Sequence, residues 1–242
     1  MALHFLAESS SDAVVGDLVA LTGAEAKHAA VVRRLRVGEQ VTVGDGRGVW
    51  LTGETEQVSP SLVEVRVTER RVTDQPGPRL ILVQALAKGD RDELAVQAAC
   101  ELGVDEIVPW QASRSVSRWD GPKAVKGRER WSTIVREAAK QAHRPWVPVV
   151  ATPSATKDLV ARAATQRVVL LDPSASTRLS ALEADDRDLV LVVGPEGGIS
   201  DEEISVLEAA GAERALLGDT VLRTSTAGPA AIAVLSVTLG RW

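Results

Sequence analysis

DLVLVVGPEGGISDEEI (188–204) and, after a short gap, ALLGDTVLRTSTAGPAAIAVL (215–235) are the stretches from which the fold is read. Leu189 to Val193 is an apolar, β-branched run with the length of a buried parallel strand. It ends in Gly194-Pro195-Glu196-Gly197-Gly198, where glycines permit positive φ and let backbone amides come close to a ligand. Ser200 then stands as a helix N-cap with Glu203 at the capping-box position. A second apolar stretch, Ala215 to Leu217, ends in Gly218-Asp219. A polar turn, Arg223-Thr224-Ser225-Thr226, leads into a small-residue helix from Ala227 to Leu239. Two strand–loop–helix units thus lie side by side, each with a glycine-bearing loop at the carboxyl end of its strand. Ligands of open α/β sheets bind at that end.

Working outward, the residues before this region keep alternating strands and helices, which argues for a parallel sheet covered on both faces. Leu80–Ala85, Glu106–Trp110 and Val168–Asp172 read as strands. Asp90–Leu102 reads as a helix closed by Gly103, and Gly127–His143 as a long helix. VTDQPGP (72–78) breaks the pattern with two prolines and a glycine, giving a linker at 73–78 between residues 1–72 and 79–242. The N-terminal part is β-rich, with short strands at 17–21, 40–43, 49–54 and 62–70, a hairpin turn at Asp45-Gly46 and one helix at 24–35. Gly44, Gly46 and Gly48 lack GxGxxG spacing and read as a turn, not a nucleotide loop.

Composition bounds the rest. The chain has 242 residues, 45% hydrophobic, with formal net charge −5. No apolar run reaches the roughly 20 residues of a membrane span, and Met1 to Phe5 lacks a signal-peptide start, so a cytoplasmic location is expected. A single cysteine, Cys100, excludes an internal disulfide and reads as a small core residue. His4, His28 and His143 have no metal-ligand spacing, so no metal is expected. Basic residues gather at 27–36 and 114–144, and acidic ones at 183–188 and 201–203; arginine-rich composition fits RNA binding and a GC-rich genome equally.

Together the motifs GPEGG and LG-x-x-VLR-T-x-TA resemble the signature of the knotted, SPOUT-type RNA methyltransferases, and within them the ribosomal RNA small subunit methyltransferase E family. Further matches are QALAKGDRDELAVQAACELGVDEIVP (84–109), HAAVVRRLRVGE (28–39) and the pattern Arg130-Trp131, Glu137-Ala138, Gln141, Arg144-Pro145. The resemblance covers nearly the whole chain. It implies an α/β fold in which a PUA-like β-barrel domain precedes a trefoil-knotted parallel-sheet domain. It implies S-adenosylmethionine as cofactor, a homodimer formed through the C-terminal domain, and methylation of N3 of one uridine in 16S ribosomal RNA of the small ribosomal subunit. Two other readings are a knotted methyltransferase of another RNA, such as tRNA, and a non-catalytic RNA-binding protein of the same fold.

The resemblance carries cofactor contacts onto Leu171 and the loop after it, onto Gly194, Pro195, Glu196, Gly197 and Gly198, onto Leu217 and Gly218, and onto Leu222, Arg223, Thr224, Ser225, Thr226 and Ala227. It carries RNA contacts onto Arg33, Arg34, Lys88, Arg91, Arg114 and Arg144, with arginines positioning phosphates rather than reading sequence. Glu137, Gln141 and Arg144 follow i, i+4, i+7 spacing and are expected on one helix face. Uracil N3 carries a proton, so the site needs a base or a cation that stabilises the uracil anion. Arg223 is the candidate cation, with a loop-bracing role as its alternative. Glu196 is the candidate base, with the holding of loop amides as its alternative. Ser225 stands where the family commonly has Glu; a hydroxyl cannot take a proton at neutral pH.

Overall fold

A computed structural model describes residues 2–242. Two compact units are resolved: Met1–Gln75 with Ala139–Val147, and Pro76–Ala138 with Pro148–Trp242. In the first, β1 (Leu3–Leu6), β2 (Leu18–Thr22), the short helix α1 (Gly23–Lys27), β3 (Gln40–Gly44), β4 (Val49–Val58) and β5 (Leu62–Val72) follow in order. The sheet runs β1-β3-β4-β5-β2, antiparallel except for the β1–β3 pair. Alternate positions of β4 and β5 point inward and pack with Phe5, Leu21, Ala26, Ala29, Val41 and Val43 into one core. The hairpin at Asp45-Gly46 forms: Asp45 Oδ1 accepts from the amides of Arg47 and Val49, and Gly46 sits at φ +72°.

The helix expected over 24–35 is shorter. After α1 the chain makes a wider π turn over His28–Val32 and leaves through Arg34 at φ +53°. The same unit buries an ionisable cluster. The His4 ring stacks on Trp50 at 3.9 Å and its Nδ1 meets the Thr42 hydroxyl at 2.9 Å. Burial, with His143 and Lys140 nearby, lowers the His4 pKa to about 3.

The second unit is built on six parallel strands. In chain order its elements are β6 (Leu80–Ala85), α2 (Arg91–Glu101), β7 (Glu106–Trp110), α3 (Pro122–Gln141, its residues from Ala139 belonging to the first unit), β8 (Val149–Val150), α4 (Thr156–Ala163), β9 (Arg167–Leu171), β10 (Leu189–Val193), α5 (Asp201–Ala209), β11 (Glu213–Ala215) and α6 (Thr224–Thr238). The sheet order is β11-β9-β10-β6-β7-β8, parallel throughout. Every residue of β6 and β10 is buried, which explains their unbroken apolar sequences: interior parallel strands are covered on both faces. Each such Leu, Val or Ile contributes about 1.5–3 kcal/mol on burial.

Four expectations need correction here. β11 ends at Ala215, and Leu216-Leu217 already belong to the loop. Arg223 is the N-cap of α6, so Thr224–Thr226 form its first turn rather than a separate polar turn. β8 and α4 were not anticipated. α3 ends at Gln141, with His143 at φ +54° turning the chain out, so Arg144 does not share a helix face with Glu137 and Gln141.

Candidate active site

β10, β9 and β11 are neighbours in the sheet, and all three present their carboxyl ends to one cavity of about 500 Å³. The loop after β10 supplies one wall. Gly194 faces Ile199 so closely that an added Cβ would lie 2.8 Å from the Ile199 side chain and 3.1 Å from its amide nitrogen. The Gly198 amide returns to the Pro195 carbonyl at 2.9 Å, and Gly198 takes φ +73°, a conformation other residues reach only under strain. α5 then begins with the expected capping box. The Ser200 hydroxyl accepts from the Glu203 amide and Glu203 from the Ser200 amide, both at 3.2 Å. Buried Glu203 also accepts from the Ser113 amide and hydroxyl and from the Thr156 hydroxyl. Burial opposes its charge, but these bonds outweigh burial and hold the carboxyl below its ordinary range.

The loop after β11 supplies the opposite wall. Leu216 exchanges backbone hydrogen bonds with Thr177 and Leu179. Beyond it, among the described residues, only the exposed Arg178–Asp219 pair, at 3.1 Å, holds the loop before α6 starts. The two walls meet at Thr224, whose hydroxyl donates to the Gly194 carbonyl at 2.9 Å. Gly228, one turn on, brings α6 onto β6: an added Cβ would stand 3.2 Å from Leu82.

The charged residues divide sharply. Glu196 Oε1 accepts from the Lys88 amide at 3.1 Å and from Arg91 at 2.8 Å. Burial raises its pKa, but bonds from its own amide, Lys88 and Arg91 prevail, so the carboxyl lies below its usual value. A carboxylate held this way is a weak proton acceptor at neutral pH. Arg114 is likewise engaged, donating to the carbonyls of Gly197 and Ile199 at 3.2 and 3.3 Å. Arg223 is exposed, lines the cavity, and makes no side-chain bond among the described residues.

Of the residues assigned to the cofactor by sequence, Leu171, Gly194, Pro195, Glu196, Gly198, Leu217, Gly218, Leu222, Arg223, Thr224 and Ala227 line the cavity. Gly197, Ser225 and Thr226 do not; Gly197 packs against Arg114 instead, with only 3.3 Å for an added Cβ. Arg91, assigned to RNA, also lines it. Asp172 and Pro173, in the loop after Leu171 onto which the resemblance carries cofactor contacts, line it too. Asp172 accepts from Ser174 and Arg214; burial opposes its charge but these bonds lower its pKa. Lys88 and Arg114 belong to the same unit as the cavity, whereas Arg33, Arg34 and Arg144 belong to the first. Among the described residues no cluster of His, Cys, Asp and Glu is placed to hold a metal ion, and no helix is long and apolar enough to cross a membrane.

Comparison with known proteins bears on the whole chain. Residues 74–236 match the family model described as an RNA methyltransferase domain, and residues 21–68 that of an RNA methyltransferase PUA domain. The chain is 40% identical over 248 residues to ribosomal RNA small subunit methyltransferase E of Mycobacterium bovis, covering 100% of this chain and 94% of the relative. It is 33% identical to the protein of that name from Bacillus subtilis, over 89% of this chain and 88% of the relative. Among solved structures, the Neisseria gonorrhoeae protein of that name, bound to S-adenosyl methionine, superposes with TM-score 0.87 at 28% identity, covering 98% of both chains. A Legionella pneumophila protein in complex with the same cofactor gives TM-score 0.89 at 31% identity, again over 98% of both chains.

Proposed function

The chain belongs to the ribosomal RNA small subunit methyltransferase E family, and from that premise we propose that it transfers a methyl group from S-adenosylmethionine to N3 of one uridine in 16S ribosomal RNA. One observation carries the reading: two glycine-bearing loops, joined by the Thr224–Gly194 hydrogen bond, wall a single cavity at the carboxyl ends of parallel strands.

The residues present fit the cofactor. The volume of about 500 Å³ lies within the usual range for small-molecule sites. Leu171, Val193, Ile199, Leu217 and Leu222 offer apolar surface for a flat ring. The amides of Leu217, Gly218 and Leu222 enter no hydrogen bond among the described residues, which leaves polar edges something to bind. Bound there, S-adenosylmethionine supplies an electrophilic methyl group.

This chain's own residues then have three tasks. The glycine loops would hold the donor against its acceptor, and positioning of that kind supplies much of the rate. Apolar walls keep water from the reacting centre. Arg223, the unengaged cation at the rim, would stabilise the uracil anion left when N3 releases its proton to solvent water, which makes that release easier. Glu196 and Arg91 keep the first loop against the loop before α2. Arg33, Arg34, Lys88 and Arg144 contact the RNA backbone, the protein acts in the cytoplasm on the small ribosomal subunit, and the C-terminal domain is knotted and pairs two copies into a dimer.

Calorimetric titration with S-adenosylmethionine tests the donor half of this reading, and absence of heat at saturating concentration would remove it. The acceptor half is tested by mass spectrometry of 16S ribosomal RNA from subunits of a strain lacking the gene, before and after incubation with the purified protein. One new methyluridine, methylated at N3, is expected. A methyl group on another base would replace the target while keeping the chemistry.

A further inference from the structure

Gln84 is the only polar residue of β6, LILVQA, and it is fully buried. An amide in such a place costs about 1–3 kcal/mol unless its hydrogen bonds are made. Its Nε2 lies 2.8 Å from the Thr224 hydroxyl oxygen and 3.2 Å from the Ala85 carbonyl. The direction of this chain of bonds is fixed by elimination. The Thr224 hydroxyl has one proton, and the Gly194 carbonyl at 2.9 Å can only accept it. The group at 2.8 Å on the other side must therefore donate, which assigns it as the amide nitrogen and leaves Oε1 buried without a partner.

Among the described residues Thr224 is the one side chain that hydrogen-bonds the loop after β10 to the start of α6, and Gln84 is what faces its acceptor side. A hydroxyl free to rotate has several staggered settings; one that already accepts from a fixed amide keeps its proton on Gly194. We infer that Gln84 is a positioning residue of the methyl-donor site, locking the two glycine loops in one register through the Thr224 hydroxyl. The inference rests on the reading of the cavity given above, and goes beyond it by assigning a role to a residue that does not line the cavity.

The test uses Gln84→Leu, Thr224→Val and Thr224→Ser in the full chain, with two readouts. The first is hydrogen–deuterium exchange of the ligand-free protein. Gln84→Leu and Thr224→Val should each speed exchange in both 194–200 and 222–228, where the amides of Gly198, Thr226 and Ala227 are hydrogen-bonded. Thr224→Ser, which keeps the hydroxyl, should behave as wild type. The second readout is affinity for S-adenosylmethionine, expected to weaken about tenfold in either hydroxyl-breaking variant and by no further factor in the double variant, as for two members of one network. Loops that stay protected in Gln84→Leu, or losses that multiply in the double variant, would overturn the inference. Should Gln84→Leu not fold, the Thr224→Val and Thr224→Ser pair decides: protection unchanged in Thr224→Val overturns it, and loss that Thr224→Ser rescues supports it. A wild-type protein that binds no donor would count against the proposed function alone, and the exchange data would still judge Gln84.

Discussion

The two loops that wall the cavity are built on opposite plans. The one after β10 is braced from several directions: Arg114 on its carbonyls, Glu196 on Lys88 and Arg91, and the Ser200–Glu203 box at its exit. The one after β11 is tied at its start by Leu216 and at its end by Thr224, and in between it has one exposed ion pair. Val221 there is 79% exposed. The contrast separates two jobs. A braced loop gives a ligand a wall of fixed shape, while a loop tied only at its ends leaves amides and the Arg223 guanidinium available to what binds.

Variants on the two sides should therefore fail differently. Glu203→Ala strikes the braced side hardest. It strands the amides of Ser113 and Ser200 and two hydroxyls, and should cost about 3 kcal/mol or more of unfolding free energy, measured by denaturant titration. Its pH signature is diagnostic. Because the Glu203 pKa is lowered on folding, its contribution is present above the ordinary carboxyl range and is lost as pH falls through the folded value. The advantage of wild type over Glu203→Gln should thus shrink only in acid.

A second acid effect must be kept apart from this one. His4 has its pKa lowered from 6.5 to about 3, so between those values the unfolded chain binds a proton that the folded one refuses. Stability of the first unit should fall with decreasing pH in that window, by up to about 1.4 kcal/mol per pH unit, and His4→Gln should flatten the slope.

On the lightly tied side, Arg223→Ala should leave stability within about 0.5 kcal/mol while lowering kcat/KM roughly a hundredfold. A matching loss of stability would place Arg223 among the braces and erase the contrast. Gly194→Ala forces a Cβ to within 2.8 Å of Ile199 and should cost about 1–3 kcal/mol together with donor affinity. Arg178→Ala should be the mildest, under about 1 kcal/mol, because an exposed pair is screened by water.

Much of this was legible in the chain, for physical reasons. β6, β7 and β10 begin and end where the apolar runs do, because interior parallel strands tolerate no polar residue that lacks a partner. GPEGG announced a loop at a strand's carboxyl end because only glycine fits against Ile199 and at φ +73°. The start of α6 was misread because Thr-Ser-Thr favours caps and turns, yet the Thr224 hydroxyl bonds outward to Gly194, a tertiary partner that local sequence does not reveal. The end of α3 lacked a signal because His143, not glycine, takes the left-handed conformation. Gln84 escaped notice for a related reason. A lone amide in an apolar run carries no information about what it meets across the sheet.

The division of the chain has a practical consequence. Residues 139–147 fold with the first unit, where Trp146 donates to the Thr73 carbonyl at 2.8 Å and the Gly48 amide to Pro145 at 3.0 Å. The backbone therefore passes from one body to the other three times. A single protease nick in the proline-bearing stretch would divide the chain into two fragments, and the N-terminal one would carry an open seam where that returning segment belongs. Neither half can be transplanted onto another protein as an uninterrupted cassette.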